Sequence, residues 1–287
     1  MAPGGRTFYR IRQNDPGHAH GKIYRANTGL TDGYIFLVSF RDLDCDNSSK
    51  KSNFAFGEKI ITMIDENRNI TFVHNSLQGS EREKNQDDVL ILSDSDFCLF
   101  VLFDGVSSLS GSWDFVQACK RFIKENHIQY VSGNKVNLKE LIYQMHVASF
   151  DAGENGKSTC SALLMKSGDN KAYVVSIGDS RIYSFTNSYM EVLTTDDNLS
   201  GNSNFLTRYI GLEGLRPDDI DLIQVNADQN FLICSDGFYS LMEKDLKTYF
   251  KIFHYKRKGS IVNAISRLQK NKNKDDSTFI IIRNGRI

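Results

Sequence analysis

The sequence predicts an α+β fold in which two antiparallel β-sheets stack face to face with a pair of helices outside each, a four-layer α-β-β-α sandwich. Runs of strand-like segments alternate along the chain with two pairs of amphipathic helical segments. The segment FCLFVLFDG at 97–105 is apolar on both faces, which is typical of a strand buried between two layers. No internal repeat or low-complexity linker interrupts these segments.

Composition and charge narrow the class of protein. Hydrophobic residues make up 40% and charged residues 24% of the 287 residues, which is ordinary for a soluble globular protein. Lys+Arg and Asp+Glu both number 35, so the formal net charge is zero. This balance argues against nucleic acid or an anionic membrane as the main partner. No apolar run approaches the ~18 residues of a spanning helix, and MAPGGRTFYRIRQ lacks the apolar core of a signal peptide.

The cysteines indicate a reducing environment. They are odd in number, two of them lie in apolar strand segments, and none has the spacing of a metal site. We therefore expect free thiols and a cytoplasmic protein. The five are Cys45, Cys98, Cys119, Cys160 and Cys234.

Residues 1–69 are predicted to be an N-terminal extension that precedes the main domain. Residues 1–30 lack periodicity, and we expect a flexible leader or irregular coil there. His18 and His20 have no third ligand nearby, so they are predicted to be surface histidines rather than a metal pair. YIFLVSF at 34–40 is predicted to be a strand.

Further strands are predicted at 54–64 and 70–74, joined by the turn-like DENRN at 65–69. This leading third has β character and no cluster of site-like residues. It either extends a sheet of the main domain or forms a small appended unit. The main domain is predicted to span 70–287.

Two helices are predicted after the 97–105 strand, which itself follows an apolar run at 89–92. Ser112 is predicted to be the N-cap of the first helix. Both helices carry an apolar stripe at helical spacing and no catalytic residue, so we expect them to cover the core. The stripes consist of Phe115, Val116, Cys119, Phe122 and Ile123, and of Leu138, Leu141, Ile142 and Met145.

The C-terminal half begins with four predicted antiparallel strands, at 161–165, 172–177, 181–185 and 190–193, and SGDN at 167–170 supplies a hairpin turn. An edge strand at 221–225, a buried strand at 231–235, two helices and a final strand at 278–282 follow. The helical stripes are Met242, Leu246, Tyr249, Phe250 and Phe253, then Ile261, Val262, Ile265 and Leu268.

Aspartates recur where predicted strands begin or end, and they point to a cation site. They are Asp87, Asp104, Asp179, Asp236 and Asp275, and no histidine or cysteine joins them. Oxygen-only ligand sets suit Mg²⁺ or Mn²⁺ rather than zinc. Several carboxylates meeting at one end of a sandwich would repel one another, which implies two or more metal ions. An ordinary turn explains any single Asp-Gly pair, but not the whole set fed by buried strands.

With these aspartates in place, the sequence resembles the metal-dependent protein phosphatases, the type 2C Ser/Thr phosphatase (PPM) family. The resemblance covers 70–283 and keeps the order of the family's motifs. No single motif is specific, but six or seven in order are strong evidence. In chain order they are REKNQD at 82–87, Asp104-Gly105, KSTC at 157–160, GDSR at 178–181, LTRYIG at 206–211, SDG at 235–237 and DDST at 275–278.

Residue by residue, the resemblance implies a two-metal centre. Asp104 would bridge two Mg²⁺ or Mn²⁺ ions, and the carbonyl of Gly105 would ligate one of them. Asp236 and Asp275 would complete the shell of the other. Asp179 would help to hold a third, weaker ion, as in bacterial members.

The resemblance also implies the catalytic residues: Arg82, Asp87 and Asp104. Asp87 would order metal-bound water and is therefore included among the metal-site residues. Gln86 stands where many members carry a metal-binding glutamate. Arg82 would grip the phosphate of the substrate through its planar, permanently charged fork. The implied function is hydrolysis of phosphoserine and phosphothreonine in proteins by a metal-bridged hydroxide, in signalling opposite a Ser/Thr kinase.

Three departures from the family pattern stand out. Val106, Ser107 and Ser108 replace the usual His or Met and two glycines, and Val106 cannot protonate a leaving oxygen, which predicts a preference for good leaving groups. The segment 194–205 leaves almost no room for the family's flap, which affects substrate selection and the third ion. The N-terminal extension has no counterpart.

Two alternative functions stay open. One is a catalytically weak or inactive relative that binds phosphoprotein or a partner as a regulator, which the lost glycines and flap favour. The retained aspartates oppose it, because clustered acids are costly without metals. The other is a hydrolase of small phosphoesters, which an open site would permit.

Overall fold

The computed structural model describes residues 8–13, 22–26, 33–40, 63–65, 68–151, 156–199 and 202–286. Within these residues the chain forms sixteen strands and five α-helices. The strands are β1 (Phe8–Gln13), β2 (Lys22–Ala26), β3 (Gly33–Phe40), β4 (Met63–Asp65), β5 (Arg68–Leu77), β6 (Asp88–Ser93), β7 (Phe97–Gly105), β8 (Ser158–Lys166), β9 (Lys171–Ile177), β10 (Arg181–Phe185), β11 (Tyr189–Val192), β12 (Asn198–Leu199), β13 (Asn202–Leu206), β14 (Ile223–Asn226), β15 (Asn230–Cys234) and β16 (Ser277–Arg286). The helices are α1 (Ser112–Val131), α2 (Leu138–Asp151), α3 (Asp236–Met242), α4 (Leu246–Phe253) and α5 (Lys258–Gln269).

Fourteen of the described strands form two stacked sheets, which confirms the predicted α+β sandwich, and β12 and β13 pair separately as a two-stranded hairpin. In the described parts of the chain, one sheet has nine strands in the order β2-β3-β1-β11-β10-β15-β16-β5-β4, and the other has five in the order β14-β9-β8-β7-β6. Neighbouring strands pair antiparallel except β1 and β3, which are parallel. Helices α1 and α2 cover the five-stranded sheet, and α4 and α5 cover the other.

The central strand β7 shows why the sequence carries apolar residues on both strand faces. Leu99, Val101 and Phe103 face the α1–α2 layer. The alternate residues Phe100 and Leu102 face the nine-stranded sheet. Because side chains alternate along a strand, a strand between two apolar layers cannot carry a polar face.

Three local predictions were wrong. The stretch 1–30 was predicted to be irregular, yet it contains β1 and β2, whose sequences FYRIRQ and KIYRA are too short to reveal their period of two. The helix predicted after the SDG motif is broken, since α3 ends at Met242 and a 3₁₀ turn separates it from α4. Ser112 is not the N-cap of α1, because Gly111 holds that position.

Some predictions lie outside the described residues, namely those for His18, His20, Cys45 and the segment 54–62. The remaining four cysteines are buried and form no disulfide bond among the described residues. Among the described residues, no helix is both long and apolar enough to cross a membrane.

Candidate active site

The predicted site aspartates lie together at one edge of the sandwich. In the nine-stranded sheet Arg181 pairs with Cys234 and Cys234 with Phe279, which puts the GDSR turn, the SDG motif and the DDST motif at the same strand ends. In the five-stranded sheet, Asp104 pairs with Thr159 at the end of β7. The Thr159 hydroxyl lies 2.7 Å from the Ser180 hydroxyl and joins the two sheets at this edge.

Burial and mutual repulsion dominate the electrostatics of the cluster. Burial raises the pKa of the Asp104 carboxyl well above its usual range, and the charges of Asp87, Asp236, Asp179 and Asp275 raise it further. Burial and Asp275 likewise raise the pKa of Asp236. The cluster therefore carries more negative charge than its own partners compensate.

The cluster has an accessible front and a buried back. Asp104, Asp236 and Asp275 are half-buried. Asp87 and Asp179 are only 4% and 7% exposed. The three aspartates predicted to hold the paired metal ions are thus the ones that solvent reaches.

Asp87, at the back, is incompletely compensated. Burial raises the pKa of its carboxyl to about 8, even though hydrogen bonds from Thr278 and Ser235 favour its charged form. Its Oδ2 atom and the Oε1 atom of the adjacent Gln86 are buried and have no hydrogen-bond partner within the described residues. Such orphaned acceptors are costly unless a donor, water or cation reaches them.

Arg82 lies at the cluster but contacts an aspartate. Its Nε donates to Oδ1 of Asp275 at 2.6 Å and its Nη2 to Oδ2 at 2.5 Å, a bidentate ion pair. Both side chains keep about a third of their surface exposed, at 29% and 37%. The predicted phosphate-binding residue and a predicted metal ligand therefore neutralise each other here.

Two glycines allow the strand ends to approach this closely. A Cβ atom on Gly237 would lie 2.0 Å from the carbonyl oxygen of Asp276. A Cβ atom on Gly178 would lie 2.6 Å from Thr159, and the φ of Gly178 is +103°, in the left-handed region that favours glycine. The SDG and GDSR motifs thus need glycine for steric reasons.

The residues after β11 contain contacts that the sequence did not reveal. Asn198 donates a side-chain hydrogen bond to Asp179. Asp197 accepts the backbone N–H of Gly178 at 2.9 Å and the Nε of Arg208 at 2.8 Å. The only sequence signal is the pair of aspartates in TTDDN, which lies between the arginines of two motifs.

Two of the departures from the family pattern, the short segment at 194–205 and Val106, have visible structural consequences. The short hairpin β12–β13 occupies the place of a flap, and Leu199 and Phe205 on it are 54% and 62% exposed. Val106 donates its backbone N–H to the carbonyl of Lys157 at 2.9 Å, and its own carbonyl accepts the Ser112 hydroxyl at 2.8 Å. This last bond is why Ser112 does not cap α1.

The residue types at the site fit a hard cation. Among the described residues, no three His, Cys, Asp or Glu side chains are arranged as a ready metal-binding group. Arg82 engages both oxygens of Asp275, so the acids are gathered but not assembled into a shell. Oxygen-only donors, uncompensated charge and the orphaned Asp87 Oδ2 together match what Mg²⁺ or Mn²⁺ requires.

Comparison with solved structures shows which known folds the chain resembles. The chain resembles PppA, a regulatory component of the T6SS in Pseudomonas aeruginosa (TM-score 0.62, 18% identity), and the PPM Ser-Thr phosphatase MsPP from Mycobacterium smegmatis in complex with cacodylate (TM-score 0.61, 21% identity). It also resembles the catalytic domain of the serine threonine protein phosphatase PstP with 2 manganese ions (TM-score 0.58, 18% identity). Each match covers 75% of this chain and 98% of the other. Identities this low establish the fold alone.

Sequence comparison establishes the family. No curated protein sequence matches the chain significantly. The family model for protein phosphatase 2C matches residues 79–264, which is more than half of the 287-residue chain and includes six of the seven motifs. The chain therefore belongs to the protein phosphatase 2C family of metal-dependent protein phosphatases.

Proposed function

We propose that this protein is a Mg²⁺- or Mn²⁺-dependent phosphatase that hydrolyses phosphoserine and phosphothreonine in proteins. The observation that carries the proposal is the half-buried Asp104, whose carboxyl is surrounded by four other carboxyl groups that raise its pKa. An acid cluster of this kind costs stability, and bound cations would offset that cost.

The aspartates proposed to hold the paired ions meet at the accessible front, and Asp179 reaches the site from the buried back. Asp104 and the carbonyl of Gly105 would hold one ion, and Asp104, Asp236 and Asp275 the second, with Asp179 contributing to a third. When bound, these cations supply Lewis acidity, which lowers the pKa of water and neutralises charge on a phosphoryl group.

Arg82 would bind the phosphate after leaving Asp275. Its guanidinium already presents two parallel N–H donors, the geometry that also suits two phosphate oxygens. A cation on Asp275 would compete for the same carboxylate oxygens and release the fork. Metal and phosphate binding are therefore expected to favour each other.

Val106 provides no proton for the leaving group. It follows Asp104-Gly105 directly, and its side chain has no titratable atom. The enzyme should therefore have a higher kcat/KM for substrates whose leaving oxygen needs no protonation, such as aryl phosphates, than for phosphoserine. This ratio should be larger than in an enzyme with histidine at position 106.

Further parts of the proposal concern the cellular context. The substrate would be a phosphoprotein and the opposing enzyme a Ser/Thr kinase. Four buried cysteines that form no disulfide bond among the described residues support a cytoplasmic location. Residues 70–287 would form the phosphatase domain, and residues 1–69 an extension of it.

The deciding experiment is hydrolysis of para-nitrophenyl phosphate with Mn²⁺, with Mg²⁺ and with EDTA. Asp236→Asn serves as the inactive variant and Asp96→Asn, at the other end of the sandwich, as the matched control. Turnover that needs metal, survives in Asp96→Asn and disappears in Asp236→Asn would support the proposal. No turnover from folded protein in either metal would overturn it and favour the partner-binding relative.

A second assay separates protein substrates from small ones. Phosphoserine and phosphothreonine peptides would be compared with small alkyl phosphates at equal metal concentration. Higher kcat/KM for the peptides supports a protein phosphatase, and higher values for the small esters would instead indicate the phosphoester hydrolase that the short β12–β13 hairpin permits.

A further inference from the structure

Two adjacent aspartates before β16 serve different parts of the site. Asp275 faces Arg82. Asp276 is only 4% exposed, and each of its carboxylate oxygens accepts one backbone N–H. Oδ1 accepts the N–H of Gly79 at 2.9 Å, and Oδ2 accepts the N–H of Gln86 at 2.8 Å.

These two hydrogen bonds fasten both ends of the loop 79–86, and Arg82 lies between them. Further bonds hold the loop along the segment before β16, because Ser80 and Glu81 donate their backbone N–H groups to the carbonyls of Asn273 and Lys274, each at 3.0 Å. The Asp276 bonds differ from these in kind. They come from one buried, charged side chain, and charge-assisted hydrogen bonds are the stronger class.

We propose that Asp276 is a positioning residue that fixes the loop 79–86 so that the Arg82 guanidinium is held where it binds phosphate. The role requires a carboxylate, since an asparagine amide has one acceptor oxygen and would leave one of the two buried N–H groups facing an N–H donor. The proposal rests on the proposed function only in taking Arg82 as the phosphate-binding residue.

The test measures phosphate affinity and steady-state kinetics in four proteins: wild type, Asp276→Asn, Arg82→Ala and the double variant. Inorganic phosphate is titrated calorimetrically in the presence of Mg²⁺, and para-nitrophenyl phosphate is the kinetic substrate. We expect Asp276→Asn to weaken phosphate binding and raise KM about tenfold, with kcat changed less than about threefold, which is the signature of lost phosphate binding. In the Arg82→Ala background, Asp276→Asn should change phosphate affinity and KM by less than about threefold each. The effects of two residues that act through one contact are not additive.

The matched control is Asp96→Asn. Asp96 also accepts a backbone N–H from a distant loop, that of Gly133 at 2.6 Å, but at the other end of β7. It should leave phosphate affinity and KM unchanged. Amide hydrogen exchange adds a readout independent of activity, since Gly79 and Gln86 should lose protection in Asp276→Asn and keep it in Arg82→Ala.

Several results would overturn the proposal: wild-type phosphate affinity in Asp276→Asn, full additivity in the double variant, or no phosphate binding by the wild type. A loss of Mg²⁺ affinity with phosphate affinity intact would show that Asp276 acts through Asp275 instead. If the wild type binds phosphate but turns over no ester, the proposed function fails while the binding cycle still tests Asp276. If Asp276→Asn does not fold, Asp276→Ser, whose hydroxyl accepts one N–H, replaces it in the same cycle.

Discussion

The two ends of strand β7 use aspartate in opposite ways. At the end before β7, Asp96 accepts the N–H of Gly133 at 2.6 Å and lies 3.4 Å from the ammonium group of Lys166. At the other end, Asp104 faces other carboxyl groups, and its pKa rises well above the usual range through burial and repulsion. One end compensates its charge and stabilises the fold. The other leaves charge uncompensated, which costs stability and prepares a place for cations.

The largest expected difference between substitutions at the two ends of β7 is in catalysis. Asp104→Asn should lower kcat/KM for para-nitrophenyl phosphate by more than about 100-fold, since even outer partners of metal sites cost about 10–100-fold. Asp96→Asn should stay within about threefold of wild type, because it lies far from the acids. Equal losses in the two variants would show that the contrast has no functional meaning.

Replacing a glycine should cost more stability at the Asp104 end of β7 than at the Asp96 end. Gly178 combines a φ of +103° with a Cβ position 2.6 Å from Thr159, whereas Gly168 in the β8–β9 turn has a φ of +70° and open space around its Cβ position. Gly168→Ala should lower the free energy of unfolding by about 1–2 kcal/mol, the cost of the left-handed backbone. Gly178→Ala adds a steric clash and should cost about 3 kcal/mol or more. Urea denaturation of both variants measures the difference, and equal costs would contradict the close packing at the site.

The pH dependence of stability should come from the acid cluster. Burial raises the pKa of Asp87 to about 8 and that of Asp179 to about 7. A carboxyl group whose pKa is higher in the folded protein binds more protons when folded, so its stabilising contribution is present below about pH 4 and is lost as the pH rises toward the folded pKa. In EDTA, Tm should therefore fall by several degrees between about pH 5 and about pH 8.

Divalent cations provide the control for this pH effect. Mn²⁺ or Mg²⁺ should raise Tm more at about pH 8 than at about pH 5, because cations bind deprotonated carboxylates. A metal-free Tm that is flat or rises over this range would contradict the uncompensated charge. Asp96→Asn should keep the wild-type slope.

The contrast also explains what the sequence could predict. Local sequence patterns were enough to predict the layers. Strand β7 is apolar on both faces because it lies between two apolar layers, and this is visible in its sequence. The aspartates at the strand ends were visible as the points where such apolar runs stop. The seven motifs then identified the family and predicted which acids would meet at the edge.

What the sequence could not reveal depended on partners distant in the chain. Nothing near Asp276 in the sequence indicates that it binds the N–H groups of Gly79 and Gln86, almost 200 residues away. Ser112 looked like an N-cap because its local context fits one, but its hydroxyl bonds the carbonyl of Val106 instead. In both cases tertiary contacts decided between locally equivalent choices.

The smallest expected effect is a gain in stability. In EDTA at about pH 8, Asp104→Asn should raise the free energy of unfolding by about 1 kcal/mol, or Tm by about 3 °C, because it replaces one acidic group of a repulsive, poorly solvated cluster with a neutral amide. Asp96→Asn should do the reverse, since it weakens a bond to a backbone N–H and an ion pair. Mg²⁺ should abolish the advantage of Asp104→Asn, because the wild type then gains cation binding that the variant lacks. If Asp104→Asn were less stable than wild type without metal, the Asp104 charge would already be compensated within the protein, and the two ends of β7 would not differ in the way described.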